Sequence, residues 1–286
     1  MDLYSEGVRL ASSFKYLDGP NVNPVCNTRL YTHGHRTERS LLLLHGFTNC
    51  PQQFDDIGRL FHAQGWNVLV PRYPRHGYVD RLTTSISALR AQDLIAIAGR
   101  AAESARGLGE HVTVAGISLG GTLAGHLAQT SDHVDRAVLI APALGLKRIP
   151  WTAYPALTWI TYALPNMYFW WDSNLKERLQ PPYGYPRFST HAYGALFKIA
   201  DGLVKAARTA EPKAKEIALM TNANEAGLDN RFTRELAESW RAHGANVTTD
   251  EFPLSARLPH DLIDPGNPDQ NTELVYPVVT RLISGG

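Results

Sequence analysis

The stretch HVTVAGISLGG, residues 111–121, constrains the possible folds more than any other part of the sequence. Its first six residues alternate as a β-strand does, and the segment GGTLAGHLAQT that follows has the small residues and the spacing of a buried helix. Between them, Gly116 to Gly120 predict a sharp turn that presents Ser118 at the top of a sheet. Ser118 is therefore a candidate nucleophile, and the alternative is a glycine-rich turn with a capping serine.

Strands and helices alternate along most of the chain. Apolar runs and helical spacing predict these elements at the following positions: strands at 40–44, 66–73, 111–116, 134–144, 216–221 and 245–253, and helices at 52–65, 85–107, 120–130, 231–244 and 272–283. Such alternation predicts right-handed crossovers and an α/β fold with a mostly parallel, doubly wound sheet. Residues 1–38 are rich in Pro, Gly and Asn, and we expect an irregular arm with one edge strand near TRLYTHG.

The alternation is interrupted at residues 143–212, which hold four of the six tryptophans and a possible helix at 192–210. We predict an inserted cap here, between the sixth and seventh strands, and a core domain formed by residues 1–142 and 213–286. Long loops in compact domains are usually functional lids, and a poorly packed surface excursion is the alternative. The tryptophans are candidate substrate-binding residues: Trp151, Trp159, Trp170 and Trp171.

Charge and composition exclude several classes of partner. The net charge is +1 and no block of Lys or Arg is present, so we expect no nucleic-acid partner. No apolar run is long enough to cross a bilayer, and no leader-like segment starts the chain, so we expect no stable membrane insertion and a cytoplasmic location. Cys26 and Cys50 lack a C-x-x-C spacing and are expected to be packed thiols. A homodimer is compatible with the sequence.

A serine nucleophile needs a base to accept its proton and an acid to orient that base. In a sheet of this topology the expected order is Ser, acid, His, with the histidine in the loop after the last strand. His260, in LPHDLIDP, has that position, and its alternative is a surface histidine in a proline-rich loop. Glu225 and Asp229 follow the strand EIALMT; we prefer Glu225 as the acid, because Asp229 could instead cap the next helix. The aspartates that flank His260 are expected only to shape its loop.

The oxyanion that develops during attack on a carbonyl must also be stabilised. We expect the backbone amides of Leu119 and Phe47 to form an oxyanion hole, with Gly46 allowing close approach of the substrate. His45 is expected to support this loop, and His76 is a candidate for the lining of the site. The other histidines show no metal-ligand spacing, and no dinucleotide or P-loop motif occurs, so we expect no metal and no cofactor.

Four segments together carry a resemblance to a known family: LLLLHGFT at 41–48, GISLGG at 116–121, NANEAGLD at 222–229 and LPH at 258–260. The chain resembles the α/β-hydrolases of the monoacylglycerol lipase, carboxylesterase and serine-aminopeptidase-like group over residues 40–284. The resemblance implies Ser118 as nucleophile, His260 as base, Glu225 or Asp229 as acid, and a cap over an acyl pocket. Relatives more often have Asp in a D-x-x-V turn where this chain has Glu225 to Leu228.

These residues lead us to expect a carboxylesterase or lipase that cleaves a small-molecule ester through an acyl-enzyme intermediate. The aromatic residues of the insertion favour an apolar acyl or alcohol group, as in monoacylglycerols or medium-chain esters. Two alternatives stay open. The same triad serves amide and peptide hydrolases, and a non-catalytic protein of this fold could bind a small apolar ligand under its cap.

Overall fold

The computed structural model describes residues 2–178 and 181–285. Within them lie nine strands: β1 (Arg29–Tyr31), β2 (Thr37–Leu44), β3 (Asn67–Val70), β4 (Gly109–Ile117), β5 (Arg136–Ile140), β6 (Tyr168–Trp170), β7 (Arg187–Ser189), β8 (Glu216–Asn222) and β9 (Asn246–Phe252). Seven of them form one sheet in the order β1-β3-β2-β4-β5-β8-β9. All neighbours in this sheet are parallel except β1, which runs antiparallel to β3. β6 and β7 form a separate antiparallel pair.

Helices cover both faces of the sheet. The described residues form eight α-helices: α1 (Leu3–Ser13), α2 (Asp55–Ala63), α3 (Ala91–Leu108), α4 (Leu119–Thr130), α5 (Tyr154–Ala163), α6 (Thr190–Ala207), α7 (Asn230–Ala242) and α8 (Thr272–Ser284). α2 and α8 pack on one face, and α3, α4 and α7 pack on the other. The predicted mostly parallel, doubly wound α/β sheet is confirmed.

The central strands are apolar on both sides because helices cover both faces. In β2, Leu42 and Leu44 belong to the core beneath α3 and α4, whereas Leu41 and Leu43 belong to the core beneath α2 and α8. This explains why the strand is a continuous apolar run without alternation. Because the parallel strands share one direction, the loops after β2, β4, β5, β8 and β9 meet at one edge of the sheet, which we call the carboxyl edge.

The N-terminal arm is more regular than the sequence led us to expect. Instead of an irregular segment, residues 3–13 form α1, which is capped by the Asp2 carboxylate and lies against α3. The contact is so close that a Cβ on Gly7 would lie 2.9 Å from the backbone of Gly107. Gly7 weakens the helical signal in the sequence, yet it permits this packing. The expected edge strand near Leu30 is present as β1.

Cys26 and Cys50 form a disulfide, with their Cα atoms 5.2 Å apart, so the expectation of packed thiols was wrong. A separation of 24 residues carries no signal in the sequence; the fold brings the two segments together. The bond ties the N-terminal arm to the loop after β2. Disulfides persist mainly in oxidising compartments, so this bond argues against the cytoplasmic location that we expected.

The segment predicted to be an insertion, which we go on calling the insertion, lies between β5 and β8. These are the fifth and sixth strands of the described sheet, so the expected count was one too high. The predicted helix at 192–210 corresponds to α6, which packs on α4 and contributes to the main core. The outer part of the insertion holds α5 and the β6–β7 pair. No described helix is long and apolar enough to cross a membrane.

Candidate active site

Ser118 lies at the carboxyl end of β4, in the sharp turn that the sequence predicted. Its backbone has φ 56° and ψ −116°, a strained conformation for a residue with a side chain. The turn is possible only with glycine on either side. A Cβ on Gly120 would lie 1.8 Å from the carbonyl oxygen of Leu44, and one on Gly116 would lie 2.2 Å from that of Gly120. The strain presents the half-buried serine above the sheet, where α4 begins.

Glu225 and His260 are joined by a short hydrogen bond. The distance between His260 Nδ1 and Glu225 Oε2 is 2.5 Å. The other oxygen of this buried carboxylate, Oε1, accepts the amides of Gly227 at 2.9 Å and Leu228 at 3.2 Å. The carboxylate is therefore fixed by its own loop, and its bond to Nδ1 leaves Nε2 as the other nitrogen of the His260 ring.

The two groups of this pair shift each other's pKa. Burial alone would raise the pKa of Glu225, but the charge and hydrogen bond of His260 and two backbone amides outweigh it and lower the value to about 2. Burial would lower the pKa of His260, and the neighbouring Glu225 carboxylate outweighs this and raises it. Glu225 is thus ionised throughout the neutral range, and it stabilises a positive charge on the imidazole.

Asp229, the alternative acid, has a different set of partners. It is the N-cap of α7, where its carboxylate accepts the backbone amide of Arg231 at 3.0 Å. The same carboxylate forms an ion pair with the Arg231 guanidinium, 2.5 Å away. The structure therefore brings Glu225, and not Asp229, into contact with His260.

The loop that carries His260 crosses the carboxyl edge above β4. On one side, Asn222 at the end of β8 donates to the carbonyl of Leu258 at 2.8 Å. On the other side, Asp261 accepts a hydrogen bond from Gln53, which follows β2. β4 and β5 lie between β2 and β8 in the sheet, so these two bonds anchor the loop on either side of the turn after β4. No hydrogen bond joins the serine hydroxyl to the histidine among the described residues, and such bonds often tighten only when substrate binds.

Phe47 and Leu119, the expected oxyanion donors, both lie at this edge. Leu119 is the first residue of α4, so its amide has no partner within the helix. Phe47 follows β2, and the start of α4 abuts the carbonyls at the end of that strand. In residues 2–178 and 181–285, neither of these two amides donates a hydrogen bond. Both amides are therefore unpaired within the described residues.

Two histidines lie beneath the loop after β2. His45 Nδ1 lies 2.9 Å from the Gly46 carbonyl, and its Nε2 accepts the amide of Tyr73 at 3.3 Å, in keeping with the expected supporting role. His76 is fully buried, its ring centroid lies 6.0 Å from that of Phe47, and burial lowers its pKa to about 4. It packs behind Phe47 as a neutral ring and does not open onto the surface of the site.

Only one of the four candidate tryptophans reaches this edge. Trp171 lies 6.1 Å from Phe47 between ring centroids, and its indole nitrogen donates to Thr48 Oγ1 at 3.0 Å. The others lie elsewhere: Trp151 stacks on Tyr154, Trp170 lies in the β6–β7 pair, and Trp159 is 71% exposed on α5.

Tyr193, on α6, is a site neighbour that the sequence analysis missed. Its ring centroid lies 5.9 Å from that of Phe47 and 5.1 Å from that of Phe197. The helical spacing of α6 marks an apolar face but gives no sign that Tyr193 reaches the loop after β2. Within the described parts of the chain, no group of three or more His, Cys, Asp or Glu side chains could hold a metal ion.

The sequence matches the family model described as serine aminopeptidase S33, a group of hydrolases, over residues 35–241. This match covers most of the chain, from the start of the parallel sheet almost to the end of α7. It includes the strand, turn and helix around Ser118, and Glu225. No curated protein matches the chain significantly.

Solved structures of lipolytic enzymes are similar to this one in fold. A structure of the metagenome-derived lipolytic enzymes LipS and LipT aligns with TM-score 0.69 and 18% identity, over 93% of this chain and 100% of that one. The monoacylglycerol lipase of Paleococcus ferrophilus aligns with TM-score 0.67 and 17% identity, over 91% and 98%. A soluble variant of the monoglyceride lipase of Saccharomyces cerevisiae gives 0.62 and 12%, over 90% of each chain. At such identities the likeness shows a shared α/β-hydrolase fold.

Proposed function

Because this chain belongs to the serine aminopeptidase S33 family of α/β hydrolases, we propose that it cleaves carboxylic esters through an acyl-enzyme intermediate. The observation that carries the proposal is the meeting at one edge of a strained serine turn and a hydrogen-bonded carboxylate–histidine pair. A serine hydroxyl alone is a poor nucleophile near neutral pH, and these neighbours supply the base and the group that orients it.

In the proposed mechanism, Ser118 Oγ attacks the ester carbonyl carbon while His260 Nε2 accepts the hydroxyl proton. The ionised Glu225 holds the imidazole in the correct tautomer and stabilises the imidazolium. The amides of Phe47 and Leu119 bind the oxyanion. As the tetrahedral intermediate collapses, the bond to the alcohol breaks and His260 returns the proton to the leaving alkoxide. A water molecule, deprotonated by the same histidine, then attacks the acyl carbon. The bond to Ser118 Oγ breaks, His260 returns the proton to that oxygen, and the acid is released.

We propose an apolar substrate, such as a monoacylglycerol or a medium-chain ester, with residues 143–212 as a cap over it. The aromatic rings of Phe47, Trp171 and Tyr193 meet beside the proposed oxyanion hole and offer an apolar surface. Two of the structures with the same fold are monoacylglycerol or monoglyceride lipases, which supports this substrate class.

An amide or peptide hydrolase is the second candidate, because the matching family model is described as an aminopeptidase. The same groups would serve that reaction, with His260 protonating the leaving amine. Comparing p-nitrophenyl esters with aminoacyl p-nitroanilides separates the two candidates, because their acyl parts can be matched while the leaving group changes from alcohol to amine.

The experiment that tests the proposal measures hydrolysis of p-nitrophenyl esters from acetate to palmitate by the wild type and Ser118→Ala. We expect kcat to fall by roughly 10⁵- to 10⁶-fold in the variant. Ser239→Ala is a matched control, because the hydroxyl of this half-buried serine on α7 bonds only the carbonyl of Glu235. A fluorophosphonate should label the wild type and Ser239→Ala but not Ser118→Ala. Full activity in Ser118→Ala, or a wild type inert on every ester and amide, would overturn the mechanism.

A further inference from the structure

A cluster of buried and half-buried polar side chains joins the loop after β2 to the loop of His260, outside the groups that the proposed mechanism uses. We call it the loop cluster, and its members are Asn49, Gln53, Tyr183, Asp261 and Asp264. Asp264 is fully buried and Gln53 and Asn49 are each 3% exposed. The two aspartates were expected only to shape the loop of His260. Their partners show a more specific arrangement.

The cluster forms a continuous chain of hydrogen bonds between two loops. Asp261, next to His260 in the sequence, accepts from Gln53 Nε2 at 2.8 Å. The other end of the Gln53 side chain, Oε1, accepts the backbone amide of Gly46 at 2.7 Å. Asn49 Nδ2 donates to Asp261 at 3.2 Å and to Asp264 at 2.8 Å. Asp264 also accepts from Tyr183 in the insertion, at 2.5 Å.

These bonds fix both ends of one backbone turn. The amide of Asn49 donates to the carbonyl of Gly46 at 3.3 Å, so Phe47 and Thr48 are the central residues of a tight turn. Gln53 accepts the amide of Gly46, the first residue of the turn. The carboxylates of Asp261 and Asp264 accept from the side chain of Asn49, the last residue. The peptide that contains the Phe47 amide therefore lies between two anchored residues.

The direction of each hydrogen bond is determined. Asn49 Oδ1 accepts the amide of Cys50 at 2.8 Å, so its Nδ2 must face the carboxylates. The backbone amide of Gly46 can only donate, so Gln53 must present Oε1 to it and Nε2 to Asp261. Placing two carboxylates together in the protein is costly: burial and their mutual repulsion raise the pKa of Asp261, and burial raises that of Asp264. Fixing the turn through directed hydrogen bonds offsets that cost.

We propose that Gln53 and Asp261 are positioning residues, which set the Phe47 amide in the oxyanion hole and couple it to the loop of His260. This inference rests on the proposed function, because it assigns a purpose to the Phe47 amide in the reaction. A misplaced donor weakens binding of the oxyanion in the transition state while leaving ground-state binding nearly unchanged. The role therefore predicts a loss in kcat with little change in KM.

The test exchanges the direction of one hydrogen bond. Gln53→Glu still accepts the Gly46 amide but sets a carboxylate against Asp261. Asp261→Asn sets an amide donor against either the Nδ2 of Asn49 or the Nε2 of Gln53. In the double variant the new asparagine donates to the new glutamate and accepts from Asn49, so every bond of the chain is restored. Gln52→Glu is the matched control, because this neighbour bonds Arg29 and not the cluster.

We expect each single variant to lower kcat on the best p-nitrophenyl ester by about 10- to 100-fold, with KM within about threefold. The double variant should recover kcat to within about fivefold of the wild type. The effects of the two substitutions are then not additive, as expected when the two side chains are in direct contact. Gln52→Glu should be unchanged. Circular dichroism and thermal unfolding identify any variant that does not fold. Hydrogen exchange of the Gly46 and Asn49 amides, which are both hydrogen-bonded, should be faster in the folded single variants and return to the wild-type rate in the double variant.

Several results would overturn the inference. In folded single variants, an unchanged kcat, or losses that simply multiply in the double variant, would show that the cluster does not position the loop. If the wild type and Ser118→Ala behave as proposed while these variants do not, only the positioning role fails. If no ester or amide is hydrolysed, the proposed function fails with it, and the hydrogen-exchange rates then report separately whether Gln53 and Asp261 hold the turn.

Discussion

The carboxyl edge and the outer insertion are built in different ways. At the edge, side chains are held by short, directed hydrogen bonds, such as those between His260 and Glu225 and between Gly46 and Gln53. The outer insertion also has hydrogen bonds, such as those of the Asn166 side chain, but it adds aromatic rings packed on one another and leaves 71% of Trp159 exposed. Directed bonds fix a geometry to within tenths of an ångström, whereas ring packing tolerates different shapes. The difference suits the chemistry that we propose for the edge and the contact with varied apolar groups that we propose for the insertion.

The two regions are joined at Thr48. The indole of Trp171 donates to its hydroxyl at 3.0 Å, and the amide of Tyr185 donates to its carbonyl at 2.7 Å. Thr48 itself has a φ of 63°, in the left-handed region. The insertion therefore contacts the edge next to Phe47, and a substrate that displaces the insertion would act on the same turn.

The largest loss of activity should come from substitution of the proposed catalytic acid, Glu225. Glu225→Gln removes the charge that orients His260 and stabilises its imidazolium, so we expect kcat to fall about 10⁴-fold. Asp229→Asn should keep kcat within a few-fold and leave stability nearly unchanged, since asparagine caps a helix about as well as aspartate and this residue caps α7. Steady-state kinetics and denaturant unfolding of both variants measure the contrast. Equal losses of kcat in the two would contradict the assignment.

Removing the disulfide tests how far the stability of the protein depends on this covalent bond. Cys26→Ser with Cys50→Ser should lower the free energy of unfolding by about 3 kcal/mol, because the bond restricts the unfolded chain. Urea unfolding of the oxidised wild type, the reduced wild type and the double variant checks this. The last two should agree with each other. If all three unfold at the same urea concentration, the disulfide adds nothing to the stability of the protein.

The pH dependence of kcat/KM reports the charge coupling at the edge. His260 must be neutral to accept a proton, and Glu225 raises its pKa above the ordinary 6.5. Activity should therefore fall about tenfold per pH unit below a midpoint that lies above pH 6.5. Glu225, with a pKa of about 2, stays ionised over this whole range. The residual activity of Glu225→Gln should have its midpoint at lower pH, and an unmoved midpoint would show that the carboxylate does not set it.

The smallest effect is expected in the insertion. Trp171→Phe keeps an aromatic ring but loses the hydrogen bond to Thr48, worth about 1 kcal/mol. We expect KM for medium-chain esters to rise roughly threefold to tenfold, with kcat less affected. Trp159→Phe, on the exposed surface of α5, is the control and should match the wild type. A larger rise in KM for Trp159→Phe than for Trp171→Phe would indicate that the substrate binds on the outer surface of α5.

Much of the architecture was predictable because it follows from local patterns. Apolar runs placed the central strands, and the terminal helix was expected within one residue of its observed end at Ser284. The exceptions have physical causes. α1 was missed because Gly7 weakens its helical pattern, and the disulfide was missed because no spacing relates Cys26 to Cys50. Both depend on contacts between distant segments.

The sequence by itself determined the alternation of strands and helices, the turn at Ser118 and the chain order that singled out His260. Each is encoded in neighbouring residues: periodicity sets an element, and glycines permit the strained backbone between two of them. The tertiary structure decided which of Glu225 and Asp229 contacts His260, which tryptophan approaches Phe47, and how Gln53 and Asp261 meet. Those are pairings between side chains that several elements present together, and their distances depend on how the sheet, its helices and the insertion pack.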